Sequence, residues 1–206
     1  MLSAVCTHLG ALLSGRRGIE KDRQRASSAM RRSIACAESG DLAMAVRHSE
    51  DAEACVQRLM RHEPENTYHR FVLAGLLYNR ATILDGTGAG AAALAAARAA
   101  SELYEDLDPS HGDPSAVEPL LRGFRDEGQE METLIAHAAD ARARFARLLA
   151  EQQGESAATA ARQHGRAAVR TYEVLARAGQ HFGQADVDRV REQYRAARDH
   201  LGEPDG

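Results

Sequence analysis

At 206 residues, 44% hydrophobic and 27% charged, the chain is long enough for one substantial domain or two small ones, and its composition argues against disorder and against a membrane protein. A formal net charge of −4 gives no overall field that would collect nucleic acid. Aromatic residues make up only 4% and tryptophan is absent, so much of the apolar content is alanine, which fills little volume and favours helices that approach closely.

Nearly all the positive charge is arginine, Lys21 being the single lysine. With the alanine and glycine content, that usage matches a GC-rich bacterial genome and says nothing of mechanism. Cys6, Cys36 and Cys55 are odd in number and lack CxxC spacing, which argues against a disulfide framework and fits a reducing cytoplasm.

The chain opens on MLSAVCTHLGALLSGRR. No basic segment precedes its apolar run, His8 interrupts that run, and Val5 stands before Cys6 where a lipoprotein leader needs a small residue. The stretch therefore reads as an amphipathic first helix, and no other segment approaches the ~20 apolar residues of a membrane span. From 42 to 60, Leu42, Ala45, Val46, Ser49, Ala52, Val56, Leu59 and Met60 recur at helical steps behind Asp41, a candidate N-cap. The next helix begins near Thr67, its expected cap, and carries Phe71, Ala74, Tyr78, Ala81 and Leu84. Another carries Ala93, Ala97, Ala100, Tyr104 and Leu107.

At 113–118, DPSAVE offers Asp113 as a cap and Pro114 at the first helical position, with Ser115 and Glu118 as a competing capping-box register. Longer helices are expected over 129–152 and 156–178, and a last one over about 185–201. No stretch alternates with period two; RFVLAGLLY and ATIL both fall inside the helical stripe of 67–84. The fold class is all-α, with about eight or nine helices in antiparallel hairpins and 1–206 as a single domain.

The segment ATILDGTGAGAAAL satisfies a G-x-G-x-x-G/A dinucleotide fingerprint. A dinucleotide site, however, needs a buried parallel strand before its glycines, and here a helical stripe precedes them. Asp108, at the distance of the ribose-binding acid, follows SELYED in a helix rather than ending a second strand. The glycines therefore read as a turn between two helices.

That turn has counterparts in AESGDLAMAV and AEQQGESAATA. Superposing Gly40 on Gly88 sets Ser33 over Ala81, Ala45 over Ala93, Ser49 over Ala97 and Ala52 over Ala100, and a proline follows each second helix, at Pro64 and Pro109. This pattern resembles the tetratricopeptide repeat (TPR), most closely over LYNRATILDGTGAGAAALAAARAA. Leu77 stands for the family's first large residue, Tyr78 and Asn79 match the adjacent pair, and Ala81, Gly88, Ala93, Ala97 and Ala100 match its small or turn positions. The turns lie 48 residues apart, against the ~34 usual for the family, and Arg32 and Arg80 stand where leucine is usual.

The resemblance implies a TPR-like right-handed array, with units at about 19–64 and 67–109, a weaker third at about 129–178, and 185–201 as a capping helix. It also implies a concave groove bearing Met30, Arg31 and Ile34 from the first unit and Tyr78, Asn79 and Thr82 from the second. In the family, an asparagine at the Asn79 position binds a peptide backbone or carboxylate. Arg31 at the corresponding place would pair with an acidic group.

Other clusters lead toward structure rather than chemistry. His48, Cys55 and His62 are spaced by seven residues, about 10 Å along a helix, too far apart for one metal ion, and no HExxH pair occurs. In the acidic runs SEDAEA and YEDLD nothing in the sequence brings distant carboxylates together, and the arginine-rich GRRGIEKDRQR and RVREQYRAAR are balanced by Glu and Asp, so all four read as solvated faces. His164 lies on the apolar stripe of its helix and reads as a hydrogen-bonded packing residue.

The expected function is therefore binding rather than catalysis: a bacterial cytoplasmic adaptor or regulatory protein taking a protein or peptide segment, acidic where it meets Arg31. No cofactor, metal, nucleic acid or membrane is expected. One alternative is a helical enzyme or small-molecule binder with a pocket in the C-terminal half, marked by convergent polar groups in a closed cavity. Another is a homodimer packed through the alanine faces of AAALAAARAA.

Overall fold

The computed structural model describes residues 2–123, 128–152, 154–178 and 181–202, with side chains at 18–121, 130–152, 154–178 and 181–202. These residues form eight α-helices and no strand: α1 Leu2–Glu38, α2 Leu42–His62, α3 Thr67–Gly86, α4 Gly90–Leu107, α5 Pro114–Gly123, α6 Gly128–Ala150, α7 Glu155–Ala178 and α8 Gln184–His200. The count falls at eight because α1 runs unbroken for 37 residues. It contains no proline, and isolated helix glycines cost only about 1 kcal/mol each. The expected amphipathicity of residues 2–17 lies outside the described side chains. No described helix is long and apolar enough to cross a membrane.

The chain divides into two compact units, Met1–Leu76 and Leu77–Gly206, with the division inside α3. In the first, α1 and α2 form an antiparallel hairpin, in which low-numbered residues of one helix meet high-numbered residues of the other. Ser33 Oγ donates to the Ala45 carbonyl at 2.8 Å, and farther from the turn Arg58 reaches Asp22. In the second, the same arithmetic makes α4 and α6 antiparallel, with Arg98 at the Phe145 ring and, farther along α4, Tyr104 stacked on His137, α6 and α7 antiparallel through Ala136 and Tyr172, and α7 and α8 through Glu173 and Arg191.

The small residues matched between the two expected units are buried without exception: Ser33, Ala45, Ser49 and Ala52, and Ala81, Ala93, Ala97 and Ala100. Alanine and serine there let backbones come close, and larger residues fill the space between. In the second unit, Ala81, Ala93 and Ala97 pack with Phe145, Leu148 and Leu149. A second cluster joins Val117, Ile135, Tyr172, Leu175, Val187 and Val190. Each fully buried large aliphatic contributes about 1.5–3 kcal/mol, so these few side chains supply much of what the alanines do not.

The glycine turns are alike in detail. Gly40 has φ +83° and Gly88 φ +76°, left-handed values that other residues rarely adopt. Gly40 N–H bonds to Ala37 O at 3.1 Å and Asp41 N–H to Cys36 O at 2.9 Å; 48 residues on, Gly88 N–H bonds to Asp85 O and Ala89 N–H to Leu84 O, both at 3.0 Å. This pair of bonds is the Schellman C-cap. The fingerprint glycines thus follow a helix rather than a strand, and the dinucleotide motif lacks its structural context. At the third turn Gly154 also has positive φ, but the described bonds differ, with Gln152 N–H to Leu149 O and Ala158 N–H to Gly154 O.

The caps follow the sequence with one correction. Asp41 Oδ1 accepts from Met44 N–H, and Asp113 Oδ1 accepts from Ser115 N–H with Pro114 opening α5. At α3 the capping side chain is Asn66, whose Oδ1 accepts from Tyr68 N–H. Thr67 is already helical.

Candidate functional site

The first unit carries a groove of about 530 Å³ lined by α1, α2 and the start of α3. Its apolar surface comes from Ala26, Met30, Ile34, Val56, Leu59 and Val72. Ile34 at 47% and Tyr68 at 65% relative exposure are the two exposed large hydrophobic residues among those described, and both line this groove. α1 packs on α2 through Ala26, Ala29 and Ser33, all buried. Ile34 follows Ser33 around the helix and so falls outside that contact.

One end of the groove is polar and fixed. Arg23 Nη2 donates to both oxygens of Glu63 at 2.9 and 2.8 Å, and His69, only 4% exposed, donates through Nε2 to Glu63 Oε2 at 2.6 Å. The His69 bond, then Arg23, holds the Glu63 carboxyl below its usual range. Beside it, Arg58 binds Asp22 through Nε and Nη2 and likewise lowers that carboxyl. These charges are spoken for. Arg31 on the groove wall donates to Ser27 Oγ at 3.0 Å and has no carboxylate partner among the described residues, so its guanidinium remains available to an incoming acid.

Of the six residues expected to form a groove, Met30, Arg31 and Ile34 are brought together here. Tyr78, Asn79 and Thr82 belong to the second unit. There the Arg144 guanidinium lies 5.1 Å from the Tyr78 ring centroid, Thr82 Oγ1 donates back to the Tyr78 carbonyl, and Asn79 is exposed. Sequence reasoning missed Tyr68, Asn66 and His69. Tyr68 had a signal: it is an aromatic off the Phe71, Ala74, Tyr78, Ala81 stripe in a chain with few aromatics. The Arg23, Glu63 and His69 cluster had none, because its members come from α1, the loop after α2, and α3.

The second unit has a cleft of about 620 Å³ between α4, α6 and α7. The His164 ring meets Phe145 edge-on at 5.0 Å between centroids, and the Arg98 guanidinium lies 5.7 Å from the same ring. Contrary to expectation, His164 has no hydrogen-bond partner among the described residues. Burial lowers its pKa, so near neutral pH the imidazole offers one donor and one acceptor. Glu105, at the cleft edge, accepts from Ser101 Oγ and from Arg142.

The remaining sequence candidates have structural surroundings. Cys55 is buried, and its Sγ accepts from Arg58 Nη2 at 3.1 Å. Asp108 is 2% exposed and caps the turn after α4, accepting from Ser110 N–H and Oγ and from Gly112 N–H at 2.8, 2.7 and 3.3 Å. The alanines of AAALAAARAA divide: Ala93, Ala96, Ala97 and Ala100 are buried, whereas Ala91, Ala92 and Ala95 are exposed.

No protein-family model matches the chain, and no curated protein matches it. Among solved structures, the chain is similar to a de novo designed helical repeat protein, at 20% identity over 91% of this chain and 97% of that one, with a TM-score of 0.34. A likeness of that size carries neither function nor residue correspondence.

Proposed function

We propose that the protein is a non-catalytic interaction module of the bacterial cytoplasm, built on TPR-like hairpins, whose first unit holds a partner segment in the groove between α1, α2 and α3. The observation that carries this reading is the placement of Ile34 and Tyr68. An exposed large apolar residue standing alone needs no explanation, but two on one groove with an apolar floor make a surface for a partner's side chains. The partner segment is amphipathic, with apolar residues for the floor and an acidic residue for Arg31. The 48-residue recurrence of the glycine C-cap and of the buried small residues supports the repeat reading.

The exposed Asn79 amide is the equivalent position in the second unit, available to a backbone or carboxylate of the same or another partner. The test is quantitative recovery of partners from native cells by wild-type protein and by Ile34→Ser, Tyr68→Ser, Arg31→Glu and Asn79→Ala variants. All four substitutions are at exposed positions and should leave helix content intact. Loss of the same partner with the first three supports the groove, whereas unchanged recovery by all four contradicts it.

A further inference from the structure

The cleft in the second unit is distinct from the groove just described. We propose that it binds a small zwitterion with an apolar arm, the chemistry of a free apolar α-amino acid. Its volume of about 620 Å³ lies within the ~300–1,000 Å³ of ordinary small-molecule sites. One wall is apolar, made by Phe145, Leu149, Ala157 and Ala160.

The charges on the other wall select among ligands. Arg98 and Glu102 both line the cleft, four residues apart on α4, which puts their Cβ atoms about 5–6 Å apart. Neither has an ion-pair partner among the described residues, and Arg98 stands over Phe145 instead of reaching Glu102. Glu105 is already neutralised by Arg142. The cleft therefore presents one unpaired charge of each sign, one helical turn apart, beside an apolar wall.

A simple carboxylate would meet Glu102 and a simple amine would meet Arg98. An α-amino acid carries both charges on one carbon, so its carboxylate can pair with Arg98 and its ammonium with Glu102 while its side chain lies on Phe145 and Leu149. His164 faces the same space uncharged near neutral pH. Its free donor and acceptor add hydrogen bonding without upsetting the charge balance.

The test is titration of the full chain with L-phenylalanine and L-leucine, followed by amide chemical shifts, beside N-acetyl-L-phenylalanine and L-phenylalaninamide, which each lack one charge. The expected result is binding of the free amino acids with shifts on α4 and α7, and a loss of at least about tenfold in affinity for each blocked compound. Arg98→Gln should weaken L-phenylalanine by a similar factor and leave L-phenylalaninamide unchanged, a pattern that misfolding would not give. Absence of any shift up to about 10 mM amino acid, near the weak limit of specific binding, would overturn the proposal. So would equal affinity for the blocked compounds.

Discussion

Replacing glycines one at a time in GTGAG separates the helix C-cap from a phosphate-binding loop. Gly88 has φ +76°. An alanine held there pays about 1–2 kcal/mol for left-handed geometry, partly offset by the ~0.4–1 kcal/mol that alanine removes from the unfolded chain's entropy. The net loss for Gly88→Ala is about 1 kcal/mol. Gly90 is different: it opens α4 outside the left-handed region, and an added Cβ meets nothing within 4 Å. Gly90→Ala should therefore be neutral or stabilise by up to about 1 kcal/mol.

Urea unfolding followed by circular dichroism reads the Gly88→Ala loss as a midpoint drop of about 0.3–1 M, and Gly90→Ala as no shift or a rise of up to about that size. Gly40→Ala, at φ +83° in the equivalent turn, should match Gly88→Ala, with its effect on the first unit resolved by hydrogen exchange. A neutral Gly88→Ala, or a Gly90→Ala as damaging as Gly88→Ala, would refute the C-cap account.

Three further outcomes follow from the packing and charges. In the first unit, Asp22 and Glu63 both titrate below their ordinary values of 3.8 and 4.5. Each binds its proton more weakly folded than unfolded, so the stabilisation is complete above about pH 4.5 and is lost as pH falls through the depressed values. Acid unfolding measured across that range should be shallower in Glu63→Gln, and an unchanged slope would contradict the pairing. Gly165→Ala places a Cβ against the Tyr194 ring where α7 meets α8, and should cost about 1–3 kcal/mol of stability by overpacking. Asp108→Ala strips three hydrogen bonds from a buried turn and should cost about 2–4 kcal/mol in denaturant unfolding.

What the sequence made legible was local. The three- and four-residue stripes located the helices, and Gly40 and Gly88 marked turns because a left-handed C-cap has few alternatives to glycine. The matched small residues were readable for a similar reason, since close helix contact leaves room for little else. The polar end of the groove was not readable, because Arg23, Glu63 and His69 meet only after α1 and α2 have paired. His164 packs on Phe145 as its stripe implies, but its lack of a hydrogen-bond partner among the described residues was not readable, because periodicity reports which face a residue occupies and not which polar groups meet it. Asn66 rather than Thr67 caps α3 because two adjacent cap-forming residues leave the register to the tertiary fold.

The central claim, that the groove of the first unit holds a partner segment, is tested most directly by hydrogen exchange on the protein isolated with its cellular partner and again alone. The account predicts slowed exchange at 23–34 and 66–72 in the complex. Protection confined to other segments, with those two unchanged, would contradict it.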